Sequence, residues 1–209
     1  MDPKWIEWAR KLQALAQSGL AYTQSPFEIE RYNAVRAVAA EMMAAGAESE
    51  LKPIRELFAR QIGYATPKVD VRGVVFDDQG RLLLVKELRD GRYTLPGGWA
   101  DVGDTPGEAA VREVYEETGF QTRAVKLLAV WDRRRHGHTP PAPFHLYKIF
   151  IRCELVGGAA KDSAETEGAA FFTEEQVREL PLSLSRTTPS QLARLFEHLR
   201  NPDLPADFD

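Results

Sequence analysis

The chain has 209 residues, of which 44% are hydrophobic and 28% charged, and its formal net charge is −4. This balance is typical of a soluble globular protein with a sizeable core, and it excludes a collagen-like, low-complexity or disordered chain. The single cysteine, Cys153, excludes an intrachain disulfide, and the lack of a basic excess argues against a protein that coats nucleic acid. The sequence shows no basic-then-apolar leader and no apolar run of about 18 residues, so we predict a cytoplasmic protein without a membrane span.

The chain starts with a pattern typical of an amphipathic helix. Apolar residues recur at spacings of three and four, at Trp5, Trp8, Leu12, Leu15 and Ala16. Two explanations for the tryptophans of this face stay open: they pack against something beyond the helical unit, or they fill the core of a small helical bundle or its seam with the next domain.

Two further helices are predicted before residue 63. Ser25 is placed to cap the second helix, with Pro26 in its first turn and Glu28 closing a capping box, and Gly46 is expected to end it. The third is expected near residues 51–62. We therefore predict an all-α domain at residues 1–63 and a second domain at residues 64–209.

Strand patterns replace the helical pattern after Tyr64. Apolar residues alternate with polar ones over 69–75, and further strands are predicted at 82–85, 93–95, 124–131, 146–155 and 170–172. Short helices are expected at 173–177 and 190–199. The mixture predicts an α+β or α/β domain.

Residues 105–119 predict a helix with a cluster of carboxylates. Thr105 and Glu108 have the spacing of a capping box, and Gly119 is expected to end the helix. At spacings of three and four on one face lie Glu113, Glu116 and Glu117. Carboxylates this close repel each other, and a hard divalent cation such as Mg²⁺ would relieve the repulsion. For such a triplet taken alone, a solvated acidic face is the alternative.

A longer pattern surrounds this helix. It reads Gly98-x5-Asp104-x7-Arg112-Glu113-Val114-Tyr115-Glu116-Glu117-Thr118-Gly119-Phe120, preceded by Leu95-Pro96-Gly97-Gly98-Trp99. It closely resembles the 23-residue signature of the Nudix hydrolases, with Asp104 in place of the usual glutamate. The resemblance covers roughly residues 68–200. It implies an α+β fold, the α/β/α Nudix sandwich with a mixed sheet, preceded here by a small all-α domain.

The resemblance also implies a reaction. Nudix enzymes hydrolyse the pyrophosphate of a nucleoside diphosphate linked to another group, with Mg²⁺ as cofactor and Mn²⁺ able to substitute. By similarity, Glu113 and Glu117 hold the metal, Glu116 assists, and the carbonyl oxygen of Gly97 completes the coordination. Arg112 adds a counter-charge beside the glutamates. The shorter Asp104 leaves this face intact and puts in doubt only the supporting role of that position.

The catalytic base is expected either outside or inside the box. In some family members a glutamate on a late loop activates the water, and Glu165 or Glu167 has that place here. The alternative for both is a solvated loop acid. In that case Glu116 or Glu117 has to act as the base.

Substrate contacts are predicted from a basic run and a tryptophan. Arg133, Arg134 and Arg135 follow a predicted strand, where they are placed to contact phosphate or nucleotide, although a solvated turn explains them equally well. Trp99 is able to stack on a base, although tryptophan more often packs in a core.

The helical start and the segment from Leu95 to Gly103 resemble a narrower bacterial branch, whose members are described as CDP-choline or ADP-ribose pyrophosphatases. ADP-ribose enzymes often carry a proline about fifteen residues after the box, where this chain has Arg135. CDP-choline, cut to CMP and phosphocholine, is therefore the first choice, and ADP-ribose the alternative. The N-terminal helices are expected to form a homodimer.

Two other classes of function stay open. One acts on RNA 3′ ends or on nucleoside triphosphates, which the basic run would hold; RNA is a less favoured partner than a small nucleotide. The other is a non-catalytic nucleotide sensor, which predicts lost carboxylates, whereas all three are present. No helix-turn-helix is recognisable, so no DNA partner is expected.

Overall fold

The computed structural model describes residues 2–161, 163 and 166–209. It divides into two compact units. The first runs through Pro67 and includes the distant segment Pro141–His145; the second comprises Lys68–Pro140 and Leu146–Asp209. Nothing in the sequence had indicated that the segment 141–145 belongs with the N-terminal helices.

The first unit contains three helices, α1 (Lys4–Tyr22), α2 (Pro26–Gly46) and α3 (Leu51–Ala59). The buried side of α1 consists of Ile6, Ala9 and Ala16 together with Arg10 and Gln13. Two residues of the apolar face lie outside the core: Trp8 is 54% exposed and Leu15 65% exposed. The spacing therefore identifies the helix correctly, but only part of its apolar face lies in the core.

The other tryptophan of α1 packs inside the unit. Trp5 lies against Gly46 at the end of α2, where an added Cβ would meet the indole ring, and it borders the buried cluster around Met43 and Phe58. The two tryptophans therefore have different roles, one in the bundle and one at its surface. Within the described helices, none is long and apolar enough to cross a membrane.

The ends of α2 and α3 differ in detail from the prediction. Ser25 is the N-cap residue of α2, but its side chain makes no capping hydrogen bond. The predicted capping box is wrong, because Glu28 accepts a hydrogen bond from the hydroxyl of Thr23 instead. The helix ends at Gly46 as predicted, whereas α3 stops at Ala59, short of residue 62.

The second unit has seven strands and three α-helices among its described residues. The strands are β1 (Lys68–Val75), β2 (Leu82–Glu87), β3 (Tyr93–Thr94), β4 (Phe120–Asp132), β5 (Leu146–Gly158), β6 (Thr166–Phe172) and β7 (Asp207–Phe208). The helices are α4 (Pro106–Thr118), α5 (Glu174–Glu179) and α6 (Pro189–Arg200). One sheet has the order β1-β5-β4-β7 and the other β3-β2-β6. Because β1 and β5 are parallel while β4 and β5 are antiparallel, the larger sheet is mixed, as predicted.

Two hydrophobic clusters place helices on both sides of the strands. Val71, Val75 and Leu83 share a cluster with Val114 of α4. Val74, Leu82, Leu84 and Phe150 share the other with residues of α6. Neighbouring residues of one strand thus enter different cores, which is the layered α/β/α arrangement expected.

Burial on both sides of β1 changes the meaning of its sequence. Asp70 and Arg72 are the polar residues in the alternation over 69–75, a pattern typical of a half-buried strand. Both are buried in the structure, with 7% and 3% of their surface exposed. Charged side chains at such positions need partners inside the protein.

Candidate functional site

Local signals at both ends of α4 determine where the carboxylates lie. Thr105 Oγ1 accepts a hydrogen bond from the Glu108 N–H at 3.3 Å, and Glu108 Oε2 accepts one from the Thr105 N–H at 2.9 Å. Gly119 ends the helix with φ +79°, a left-handed conformation that glycine adopts at little cost. The predicted capping box and stop are therefore confirmed. Between them the helix turns Glu113, Glu116 and Glu117 to one side.

The three glutamates occupy different environments. Glu117 is buried at 8% exposure, Glu113 is half-buried, and the side chain of Glu116 is 57% exposed. Burial raises the pKa of Glu117 to about 8, with further upward contributions from Glu113 and Glu87, although Arg72 and the Gly97 N–H oppose them. Burial also raises the pKa of Glu113, against the effect of Arg112. Burial therefore disfavours the charged form of both carboxylates.

The loop after β3 passes directly beside the two buried carboxylates. The Gly97 N–H donates to Glu117 Oε2 at 3.1 Å. A Cβ on Gly98 would lie 3.0 Å from Glu113 Oε2, so a larger residue there would press on this carboxylate. The loop is attached to β1, because Val71 N–H donates to Gly98 O at 2.8 Å and Gly73 N–H donates to Pro96 O at 2.9 Å.

Arg112 ties the exposed side of the glutamate cluster together. Its Nη1 donates to Glu113 Oε1 at 2.8 Å and to Glu116 Oε2 at 3.2 Å. Its Nε donates to Asp104 Oδ2 at 3.1 Å. The shorter side chain at position 104 therefore still reaches the arginine, and the counter-charge that the sequence suggested is present beside the glutamates.

Two further predicted site residues, Glu167 and Trp99, contact residues outside the glutamate cluster. Glu167 is exposed and pairs with Lys86 Nζ at 3.0 Å, and Glu165 lies outside the described residues. Trp99 is 54% exposed, and its backbone forms an isolated antiparallel β-bridge with that of Asp70 in β1. Neither Glu167 nor Trp99 has a described contact with a glutamate of α4, and the predicted roles of all three residues stay predictions.

Two of the three arginines in the basic run make hydrogen bonds within the protein. Arg133 is buried, and its guanidinium donates to the carbonyl oxygens of Pro140 at 2.8 Å and Ser185 at 3.2 Å. Arg134 Nε donates to Asp132 Oδ2 at 3.0 Å, whereas Arg135 is exposed. Contact between this run and a phosphate stays a prediction.

Comparison with known proteins identifies the family to which this fold belongs. Residues 66–195 match the model of the NUDIX domain. The chain belongs to the Nudix family. Residues 3–58 match a second model, described as a UDP-X-like, N-terminal oligomerisation domain.

Individual Nudix relatives cover the whole chain or its catalytic part. A Bacillus subtilis protein, YjhB, is 45% identical over 209 residues, which are 100% of this chain and 99% of YjhB; its name gives ADP-ribose pyrophosphatase as a provisional assignment. The crystal structure of a UDP-X diphosphatase is 28% identical, covers 98% of both chains and has a TM-score of 0.63. That of an ADP-ribose pyrophosphatase from Streptococcus suis is 35% identical, with a TM-score of 0.61 over 69% of this chain and 100% of its own. This chain is accordingly an enzyme of the Nudix hydrolase family.

Nudix hydrolases generally use divalent metal ions, and the glutamate cluster suits one. Across residues 2–161, 163 and 166–209, no three carboxylate, imidazole or thiolate groups are already gathered around one point. The donor chemistry nevertheless fits, because Glu113 and Glu117 offer hard oxygen ligands and burial disfavours their charged forms. A bound divalent cation would stabilise those charged forms.

Sequence reasoning missed a buried charged cluster close to this site. Lys148 Nζ lies 2.5 Å from Asp70 Oδ1, and Arg72 donates to both carboxylate oxygens of Asp70. Burial alone would raise the pKa of Asp70, but the cations Arg72 and Lys148 hold it well below its usual range. The available signal was the presence of charged residues inside mostly apolar strands, two within 69–75 and one within 146–151.

Proposed function

We propose that this Nudix hydrolase cleaves the pyrophosphate of a nucleoside diphosphate linked to another group, with a divalent cation, Mg²⁺ or Mn²⁺, on the carboxylate side of α4. The observation that carries the proposal is the pair of poorly solvated carboxylates, Glu113 and Glu117, beside the backbone of Gly97 and Gly98. Glu113 and Glu117 would hold the cation, with Glu116 and the Gly97 carbonyl completing its ligands. When bound, the cation supplies counter-charge to the phosphates and acts as a Lewis acid.

The chain's own groups have two further tasks. Arg112 keeps Glu113 and Glu116 in place through its hydrogen bonds to both. A carboxylate takes a proton from the attacking water while the new bond to phosphorus forms and the bridging P–O bond breaks. Glu165 and Glu167 are the proposed bases outside the helix, and Glu116 or Glu117 is the proposed base if neither serves. Arg133, Arg134, Arg135 and Trp99 are the proposed contacts to the nucleotide.

For the substrate we propose a pyrimidine nucleotide, with CDP-choline first. Support comes from the N-terminal domain, whose model is described as UDP-X-like, and from the similarity to a UDP-X diphosphatase along nearly the whole chain. Arg135, where ADP-ribose enzymes often have proline, points the same way. ADP-ribose is the second candidate, because the names of YjhB and of the Streptococcus suis enzyme contain it. RNA ends and nucleoside triphosphates follow, and a sensor is disfavoured because the three glutamates are present.

A substrate panel tests this proposal. We would measure kcat/KM for CDP-choline, a UDP-sugar, ADP-ribose, a nucleoside triphosphate and a short RNA, with Mg²⁺ and with Mn²⁺. The variant Glu117→Gln, purified in the same way, detects contaminating activity. We expect the best pyrimidine substrate to exceed ADP-ribose by at least about tenfold, a difference of about 1.4 kcal/mol in transition-state binding. Preference for ADP-ribose or RNA would replace the pyrimidine assignment, and no hydrolysis of any of the five would overturn the proposal.

We further propose that the first unit forms a homodimer through α1, in a cytoplasmic protein. Trp8, Leu15 and Tyr22 are seven residues apart, so they lie on nearly the same side of the helix. Their exposures are 54%, 65% and 75%. A row of large exposed apolar side chains favours a second copy as its partner, in agreement with the description of the matching domain as an oligomerisation domain.

A further inference from the structure

The paired strands β1 and β5 bury two cations and one anion together. Asp70 and Lys148 are directly opposite each other in the register of these parallel strands. Arg72 donates to Asp70 Oδ1 from Nε at 2.9 Å and to Oδ2 from Nη2 at 2.7 Å. The exposed fractions are 7% for Asp70, 3% for Arg72 and 1% for Lys148. Asp70 therefore holds the guanidinium of Arg72 through a bidentate contact, and the ammonium group of Lys148 in turn holds Asp70.

A buried charged group of this kind is weak evidence for stability. Removing three charges from water costs free energy that their mutual attraction often fails to recover. Well-packed apolar side chains would fill the same space at no such cost. The directional donors of an arginine at position 72 therefore indicate a role other than stability.

The third guanidinium nitrogen of Arg72 contacts the loop beside the carboxylate helix. Arg72 Nη1 donates to Leu95 O at 3.1 Å. Leu95 is fully buried and comes two residues before Gly97, whose N–H donates to Glu117. Gly97 also packs closely on the backbone of β1, since an added Cβ would lie 2.8 Å from the Cα of Arg72. Arg72 is thus a side-chain tie between β1 and the loop that meets Glu117.

We propose that Arg72 is a positioning residue for cation binding, which Asp70 and Lys148 hold in place so that it fixes the Leu95–Gly97 segment against Glu117. The inference rests on the proposed function, because the cation concerned is the one that the glutamates would bind. Since Arg72 is only 3% exposed, it acts through the loop and does not touch a nucleotide.

The charge of Arg72 and its contact with the loop predict opposite effects on cation binding. Its guanidinium is attracted to Glu117, so through charge alone it competes with a bound cation. Removing the charge would then strengthen cation binding, whereas losing the tie to the loop would weaken it. Arg72→Lys separates the two effects, because it keeps the charge but cannot reach both Asp70 oxygens and Leu95 O at once.

The decisive experiment measures Mn²⁺ binding to nucleotide-free, full-length protein, with free Mn²⁺ followed by electron paramagnetic resonance. We expect Arg72→Lys to bind Mn²⁺ about tenfold more weakly than wild type, the size typical of residues that orient metal ligands. Its kcat should fall at limiting Mn²⁺ and recover at saturating Mn²⁺, while the KM for the nucleotide stays within about twofold. The matched control is Arg123→Lys, which changes an exposed arginine paired with Glu154 and should bind Mn²⁺ like wild type.

Several results would overturn the inference. Mn²⁺ affinity of Arg72→Lys equal to or above that of wild type would show that the arginine does not position the site. A raised nucleotide KM with normal Mn²⁺ affinity would also contradict it. Should Arg72→Lys fail to fold, Lys148→Met is the second variant, because it removes the hydrogen bond from Lys148 to Asp70 and leaves Arg72 in the chain. It should weaken Mn²⁺ binding about threefold. Unchanged Mn²⁺ binding in this variant would contradict the inference. Absence of Mn²⁺ binding by the wild type would instead overturn the proposed function itself.

Discussion

The N–H of Gly97 donates to Glu117 Oε2 across 3.1 Å and so connects the loop after β3 to the last turn of α4. This contact depends on an unusual backbone. Gly97 has φ +141°, and an added Cβ would come within 2.1 Å of Val71 O. The loop reaches the carboxylate only because no side chain stands between it and β1. Backbone shape and carboxylate placement at this site are therefore inseparable.

The first prediction concerns this close approach. Gly97→Ala should lower the free energy of unfolding by about 3 kcal/mol or more, because the methyl group overlaps the β1 backbone and the residue must keep a positive φ. The displaced loop should also lose its contact with Glu117 and most hydrolysis. Urea unfolding and kcat/KM provide the two measurements.

Gly91→Ala is the matched control for this substitution. Gly91 also has a positive φ, +66°, but no atom lies within 4 Å of an added Cβ. Gly91→Ala should lower the free energy of unfolding by only about 1 kcal/mol, the cost of the positive φ alone, and the variant should retain activity. If the two variants behaved alike, the close approach at Gly97 would not explain its requirement.

The second prediction concerns Glu117. Glu117→Gln should lower kcat/KM at least about 100-fold, since a ligand that neutralises the cation is lost. The fold should persist, because the amide oxygen still accepts from the Gly97 N–H and no longer carries a poorly solvated charge. The metal-free melting temperature should therefore not fall. Glu154→Gln, a change of an exposed carboxylate on β5, should leave turnover unchanged, and wild-type turnover in Glu117→Gln would refute the metal-binding role.

Local sequence signals determined the predictable part of this site. The capping box, the proline at position 106 and the glycine at position 119 act within a few residues, so α4 could be predicted to its ends. The spacing within the helix then placed all three glutamates. The Gly97 contact was not predictable, because it depends on how a loop lies against β1.

Contacts distant in sequence account for the errors. The partners Asp70 and Lys148 are 78 residues apart, and no local pattern joins them. The burial of Arg10 and Gln13 on α1 was not predictable for a similar reason: their partners, the carbonyl oxygens of Ala142 and Phe58, are distant in sequence, and the helical period does not reveal them. Periodicity identifies an element, whereas its surroundings decide which side is buried.

The third prediction concerns the pH dependence of stability. Burial and the cations Lys148 and Arg133 lower the pKa of His138 to about 3. Its Nδ1 lies 3.0 Å from Leu184 O, to which it donates, and its Nε2 is buried without a hydrogen-bond partner in the described part of the chain. Below its ordinary pKa of about 6.5 the unfolded chain takes up a proton that the folded chain does not, so the folded state loses stability as the pH falls.

His138→Asn should remove this loss, since the amide is able to replace the Nδ1 donor but does not titrate. Between about pH 7.5 and 5, the free energy of unfolding of the wild type should fall by about 2 kcal/mol more than that of the variant. Urea unfolding of both proteins at both pH values measures the difference, and the loss from other groups cancels in the comparison. An equal loss in the two proteins would mean that His138 is charged in the folded state.

The last prediction concerns the exposed row on α1. Leu15→Glu should convert a dimer into a monomer at micromolar concentration, because it places a charge in the centre of an apolar contact. Val156→Glu is the matched control, with 62% exposure against 65% for Leu15, but on β5 of the second unit. Light scattering coupled to size-exclusion chromatography measures both masses. Each variant changes one exposed apolar side chain in an otherwise identical chain, so their masses are directly comparable. A dimer that persists in Leu15→Glu, or one that dissociates in Val156→Glu, would contradict an interface on α1.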